Sequence, residues 1–183
     1  IADQILLILM ESPHFNNSML KEAKNLQITN ILSDNLVVPF SISIYMEMIY
    51  KKRNVPIIKM LELVGDSEIL ELTDSLQNNM LLASSNNKEL CGIILDHAHI
   101  SAKSVMQENA RGENILMLLI EQDDNVNIEK LLKLSVFDPI MIQKIQLNGH
   151  TVLNYIKDNN SSFHHVVDSG YLTKEFVDSY ADN

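Results

Sequence analysis

The sequence predicts an all-α protein: a solenoid of about five stacked helical hairpins. Three observations carry that expectation. Only five Gly and four Pro occur in 183 residues, too few turn formers for a strand-and-turn architecture. Apolar residues recur at i, i+3, i+4, the stripe of a helix buried along one side. A short phrase also returns along the chain, as Asn78-Asn79-Met80-Leu81, Gly112-Glu113-Asn114-Ile115-Leu116 and Gly149-His150-Thr151-Val152-Leu153. Recurrence every 20 to 50 residues is the sequence mark of a stacked array. The whole chain, 1–183, is therefore expected to form a single helical-repeat domain.

The elements follow in order from anchors and stripes. Gln4, Asn35, Asn79, Asn114 and Thr151 anchor successive units at spacings of about 31, 44, 35 and 37 residues. An Asn or Thr before an apolar run caps a helix, its side-chain oxygen accepting from an exposed backbone N–H. Gly112 and Gly149, two residues earlier, supply a tight turn with positive φ. Leu81, Leu116 and Leu153, two residues after the last three anchors, then face the core.

Each second helix is marked by a triple. These are Ile57, Met60 and Leu61; Leu90, Ile93 and Ile94; Ile128, Leu131 and Leu132; and Phe163, Val166 and Val167. Lys51-Lys52-Arg53 ends a helix, where cations oppose the negative end of the helix dipole, just before a break at Asn54-Val55-Pro56. Glu121-Gln122-Asp123-Asp124 ends a first helix, as a solvated turn or as an anionic patch on a binding rim. Asp123 or Asp124 also suits the start of the next helix. Ile140, Ile142 and Ile145 form either a bulky hairpin or an extra helical turn.

Composition removes several function classes. Hydrophobic residues make up 46% of the chain, enough for a continuous core. The formal net charge of -10 disfavours duplex nucleic acid, whose phosphates need Lys and Arg. It equally disfavours an anionic membrane. A basic or mixed-charge protein surface is the more natural partner. Cys91 is the single cysteine, so no internal disulfide framework exists and a reducing, cytoplasmic setting fits. Beside Gly92 in an apolar stretch, it reads as a small buried residue.

The longest apolar run, Ile5 to Met10, is far short of the ~20 residues that span a bilayer. No secretory signal pattern is visible. The chain opens at Ile1 in mid-pattern, which leads us to expect a piece of a longer protein.

Chemistry-bearing clusters are sparse. His97 and His99 are two residues apart and lack the further ligands of a closed zinc site. His164 and His165 are adjacent, so a helix sends them in different directions. There is no Gly-x-Ser-x-Gly, no Gly-rich phosphate loop and no Cys–His pair in evident register. The expectation is no catalytic residue, no metal and no cofactor.

The recurring phrase resembles the ankyrin repeat, which opens each unit of roughly 33 residues with a Gly-x-Thr-x-Leu turn into a first helix. Gly149-His150-Thr151-Val152-Leu153 matches that opening, and Gly112-Glu113-Asn114-Ile115-Leu116 matches it with Asn for Thr. Ile128-Glu129-Lys130-Leu131-Leu132 resembles the second helix, and Asp138 falls where the family often has Asp in the loop that follows. The Pro after Thr and the Gly-His turn between helices are missing, so the match is clearest over 78–168.

The resemblance implies a right-handed stack that binds a protein on its concave face, through loop tips and the exposed side of the first helices. Carried onto this chain, the expected contacts are Arg111, Gln122, Asp123, His150, Tyr155 and Asp158. The alternatives are a structural spacer that positions a neighbouring catalytic domain, and a helical enzyme domain with a scattered site. Degenerate units of this flavour are similar to those in secreted effectors of intracellular bacteria, which would place the chain in host cytoplasm.

Overall fold

The computed structural model describes residues 44–63, 69–144, 149–156 and 161–181. The anchors Gln4 and Asn35, Ile145, and Asp158 among the expected contacts lie outside them. Every regular element among the described residues is helical. The elements are α1 (Ile44–Tyr50), α2 (Asn54–Leu63), α3 (Met80–Ala83), α4 (Lys88–Leu95), α5 (Ala102–Met106), α6 (Ile115–Glu121), α7 (Asn125–Lys133), α8 (Ile140–Gln143), a 3₁₀ turn (Val152–Tyr155), α9 (Ser162–Asp168) and α10 (Lys174–Ala181).

Three anchors do the local work expected of them. Asn79 accepts from the Leu82 N–H at 3.0 Å, Asn114 from Met117 at 3.1 Å, and Thr151 from Leu153 at 3.3 Å. Each thereby satisfies a donor that the first helical turn leaves without a partner. Two residues earlier the backbone turns through positive φ, at Gln77 (62°), Gly112 (78°) and Gly149 (81°). Leu81 and Leu116 are buried behind these caps, while Leu153 is only partly covered.

The two asparagines also reach outward. Asn79 Nδ2 donates to the Ser104 carbonyl at 2.7 Å, and Asn114 Nδ2 to the Met141 carbonyl at 3.2 Å. Ser104 lies in α5 and Met141 in α8. One side chain thus caps its own helix and fixes the short helix that closes the same unit.

Helix pairs meet in a regular order. α1 packs on α2, α3 on α4 and α6 on α7. The leading helices meet in sequence, α1 with α3, α3 with α6, and α6 with the 3₁₀ turn. The following helices do the same, α2 with α4, α4 with α7, and α7 with α9. The stripes fill this interior: Ile57, Met60, Leu90, Ile94, Ile128, Leu131 and Val166 are all fully buried.

The α4–α7 contact is close because Gly92 has no side chain. A Cβ there would lie 2.9 Å from Asn127 Oδ1. Asn127 is itself held, donating to the Lys88 carbonyl at 2.8 Å and to Asp124 at 2.6 Å.

Two expectations need correction. Val167 was assigned to a buried stripe but is 42% exposed. α4 and α7 have a following helix on either side, whereas α9 has one on the α7 side. Asn54-Val55-Pro56 does not break the chain but opens α2, and Pro is tolerated in a first turn, where its missing N–H has no bond to make. Of the two readings offered for Ile140 and Ile142, the helical turn is the one found, over Ile140–Gln143; it buries Ile142 and leaves Ile140 exposed.

Candidate protein-binding surface

The loops that precede α3 and α6 are built alike. Asp74 Oδ1 accepts the Leu76 and Asn78 N–H groups, both at 2.8 Å. Asn109 Oδ1 accepts those of Arg111 and Glu113, at 2.9 and 3.0 Å. In each loop the first residue's N–H also donates to the carbonyl four residues on, Asp74 to Asn78 and Asn109 to Glu113. Such turns arise because Asp and Asn side chains imitate backbone acceptors two residues ahead. The two loops are joined directly, Ala110 N–H donating to the Leu76 carbonyl at 2.8 Å.

Glu113 organises the second loop. Its Oε2 accepts from Asn109 Nδ2 at 2.8 Å and pairs with Arg111 Nε at 3.0 Å. Its Oε1 accepts from the Tyr155 hydroxyl at 3.2 Å. Two expected contacts, Arg111 and Tyr155, are therefore brought together on a carboxylate that sequence reasoning passed over. The Arg111 side chain is 77% exposed, that of Glu113 only 9%. His150 is exposed beside Gly149 at the next loop.

Tyr50 does for the first loop what Tyr155 does for the second. Its hydroxyl donates to Asp74 Oδ2 at 2.6 Å. Burial, with the Asp74 carboxylate beside it, pushes that hydroxyl above the ordinary tyrosine range.

Gln122 and Asp123 lie at the other end of α6, a seven-residue helix about 10 Å long. Gln122 is exposed and donates its backbone N–H to the Leu118 carbonyl. Asp123 takes a positive φ of 48° and ties two units together. Its Oδ1 accepts from the hydroxyls of Ser162 at 2.9 Å and Ser161 at 3.2 Å, and the Ser162 bond leads in holding its carboxyl below the usual range. Asp124 is buried and caps α7. Asp123 and Asp124 thus form a structural junction between units.

The exposed side of the first helices, which the resemblance implies for docking, is closed in α6. Ile115 to Ile120 are all between 0% and 9% exposed. Six consecutive apolar residues were the available signal, since a helix apolar on every face is buried on every face.

Other candidates resolve into structure. His97 Nε2 lies 3.0 Å from the Leu61 carbonyl, and its Nδ1 accepts from the His99 N–H at 3.3 Å, so both ring nitrogens are engaged. No group of three or more His, Cys, Asp or Glu among the described residues could hold a metal ion. Cys91 is fully buried and its thiol is pushed up to about 12 by burial, far from the thiolate a nucleophile needs. An open groove of about 380 Å³ lies between α7 and α9, lined by Leu132 and Tyr171 with Glu129, Lys133, His165 and Asp168. No helix among the described residues is long and apolar enough to cross a membrane.

Comparison with protein-family models, with curated proteins and with solved structures finds no match.

Proposed function

We propose that this chain is a protein-interaction module, a degenerate ankyrin-type solenoid that holds a partner along its loops. The observation that carries this reading is the repeated loop. Asp74, Gln77 and Asn79 have counterparts at Asn109, Gly112 and Asn114, each 35 residues on (109−74, 112−77, 114−79). Further side-chain bonds link positions about one unit apart, among them Asn87 with Asn54 at 33 residues, Lys130 with Asp96 at 34 and Lys88 with Asp123 at 35. Side-chain bonds between distant segments span 24 to 42 residues, a range around one unit length that fits stacked units.

Loops positioned by a stiff scaffold are where such proteins place recognition. A single cysteine, with no internal disulfide framework, suits a reducing compartment such as the cytoplasm. The acidic chain suits a basic or mixed-charge partner.

Affinity capture with the array as bait tests the proposal, with hydrogen exchange on the captured complex as the readout. A specific partner should protect backbone amides of the array and should be lost in an Arg111→Ala, Tyr155→Phe variant that melts normally. Failure of a folded array to retain any protein specifically would refute the proposal.

A further inference from the structure

We infer that the edge formed by the starts of α2, α4 and α7 pairs with the same edge of a second copy of this chain, turned end for end about a two-fold axis. The inference goes beyond the interaction-module reading and uses a surface at the other end of α6 from the Asn109 loop.

The turns before α2 and α7 are one structure built twice. Lys52 donates its N–H to the Ile49 carbonyl and Arg53 to that of Met48, both at 2.9 Å. Asp123 donates to the Ile120 carbonyl and Asp124 to that of Leu119, both at 3.0 Å. Lys52 and Asp123 hold matching positive φ, 53° and 48°. The same dipeptide follows each turn, Asn54-Val55 and Asn125-Val126, 71 residues apart (126−55). Val55 is 64% exposed and Val126 67%, the two most open large apolar side chains among the described residues.

The two turns differ in charge. The first exposes the cations of Lys51 and Lys52, the second the carboxylates of Glu121 and Asp123. The turn between them, Ser84-Ser85-Asn86-Asn87, carries no charge. It adjoins both: Asn87 Nδ2 donates to Asn54 Oδ1 at 2.6 Å, and Lys88 Nζ to the Asp123 carbonyl at 3.1 Å. Lys88 and Glu89, side by side at the start of α4, are both exposed and offset each other. The edge therefore runs basic, neutral, acidic.

A row of charges that inverts from end to end is complementary to itself turned round. In a two-fold pair, residue i of one copy meets j of the other, and j meets i. The lysines of each copy then face Glu121 and Asp123 of the other, and Val55 of each faces Val126 of the other. Only the middle turn lies on the axis and meets its own copy, and it has no charge to repel. A uniformly basic or acidic partner would be repelled at one end of this edge. The net charge of -10 opposes association at long range. At physiological ionic strength, however, exposed charges more than about 8 Å apart are largely screened, which leaves the facing turns to decide. Three turns on helices about 8–10 Å apart span about 20 Å, so the pair belongs to the weak, transient class.

The test is sedimentation velocity of the full chain from about 5 to 500 μM, a range suited to a weak interface. The parent should pass from monomer to dimer and stop there. Lys51→Glu, Lys52→Glu makes both end turns acidic, and Glu121→Lys, Gln122→Lys makes both basic. Each variant alone should dimerise about ten-fold more weakly or worse, like charges now facing each other. The basic variant carries less net negative charge than the parent, so its loss would not come from long-range repulsion. Mixed in equal amounts, the two variants should form a one-to-one dimer as readily as the parent, because every acidic turn then meets a basic one. Val55→Ser, Val126→Ser, at exposed positions, should weaken the parent dimer without moving thermal unfolding. A parent that stays monomeric, or assembles past the dimer, would overturn the inference. So would a charge variant that dimerises as well as the parent, or folded variants that fail to pair on mixing. Capture of a different protein bears on the interaction-module reading alone, so the two stand or fall separately.

Discussion

Removing the Asn114 side chain tests the most specific feature of this architecture. Asn114 is 1% exposed, accepts from Met117 N–H at 3.1 Å and donates to the Met141 carbonyl at 3.2 Å. Asn114→Ala abolishes both bonds. Loss of the cap costs about 1 kcal/mol, and a buried carbonyl deprived of its donor costs about 1–3 kcal/mol more. The expected loss is about 2–4 kcal/mol, a large share of the roughly 5–15 kcal/mol that holds a domain together. Asn114→Ser keeps the cap acceptor but cannot span to Met141, so it should lose only the second part, about 1–3 kcal/mol. Urea unfolding followed by circular dichroism reads both variants as a shift in midpoint at constant slope. An alanine variant within 0.5 kcal/mol of the parent, or a serine variant as damaging as alanine, would refute the two-ended role.

Gln77→Gly should stabilise the protein by about 0.5–1 kcal/mol and Gly112→Ala should destabilise it by about 1 kcal/mol or more, because both positions hold positive φ; thermal denaturation gives both signs. Gly92→Ala should lower stability despite alanine's better helix propensity, since its Cβ would press on Asn127, which is only 2% exposed and doubly bonded; chemical denaturation showing a gain would contradict that packing. Cys91 should resist a thiol-specific chromogenic reagent in the native state at pH 8 and react on unfolding, because burial raises its pKa to about 12; immediate reaction without denaturant would contradict the burial. Glu71 is held below the usual carboxylate range by the Lys103 ammonium and the Ser101 hydroxyl. A depressed folded pKa gives stability that is present above the unfolded value and lost as pH falls through the folded one. Stability should therefore decline below about pH 4.5, and Glu71→Gln should reduce that decline in acid titrations of the unfolding midpoint.

The helical class was legible because the signals are obligatory. A helix start needs an acceptor, which Asn79, Asn114 and Thr151 supply, and a left-handed turn favours glycine, which marks Gly112 and Gly149. The third such turn was hidden because Gln77 carries it, a residue whose identity gives no hint of positive φ. The side-chain turns at Asp74 and Asn109 lie five residues before their anchors and differ in residue type, so the phrase alone did not reveal them. Arg111 and Tyr155 were singled out for their place in the repeat units, and their meeting on Glu113 depends on residues 42 apart in sequence. The exposure of Leu76 could not be read from a lone leucine, since exposure is decided by what packs around it.

Excision of one complete unit tests the central claim most directly. Deleting Asn79 to Glu113, 35 residues (114−79), places Asn114 directly behind the 74–78 loop and puts α6 where α3 stood. A chain of stacked units should accept the cut, keeping its helical circular dichroism and a single cooperative urea transition at a lower midpoint. A deletion of about half that length from the same start, which joins out-of-register halves, should abolish the transition. Equal damage from both deletions would contradict the stack.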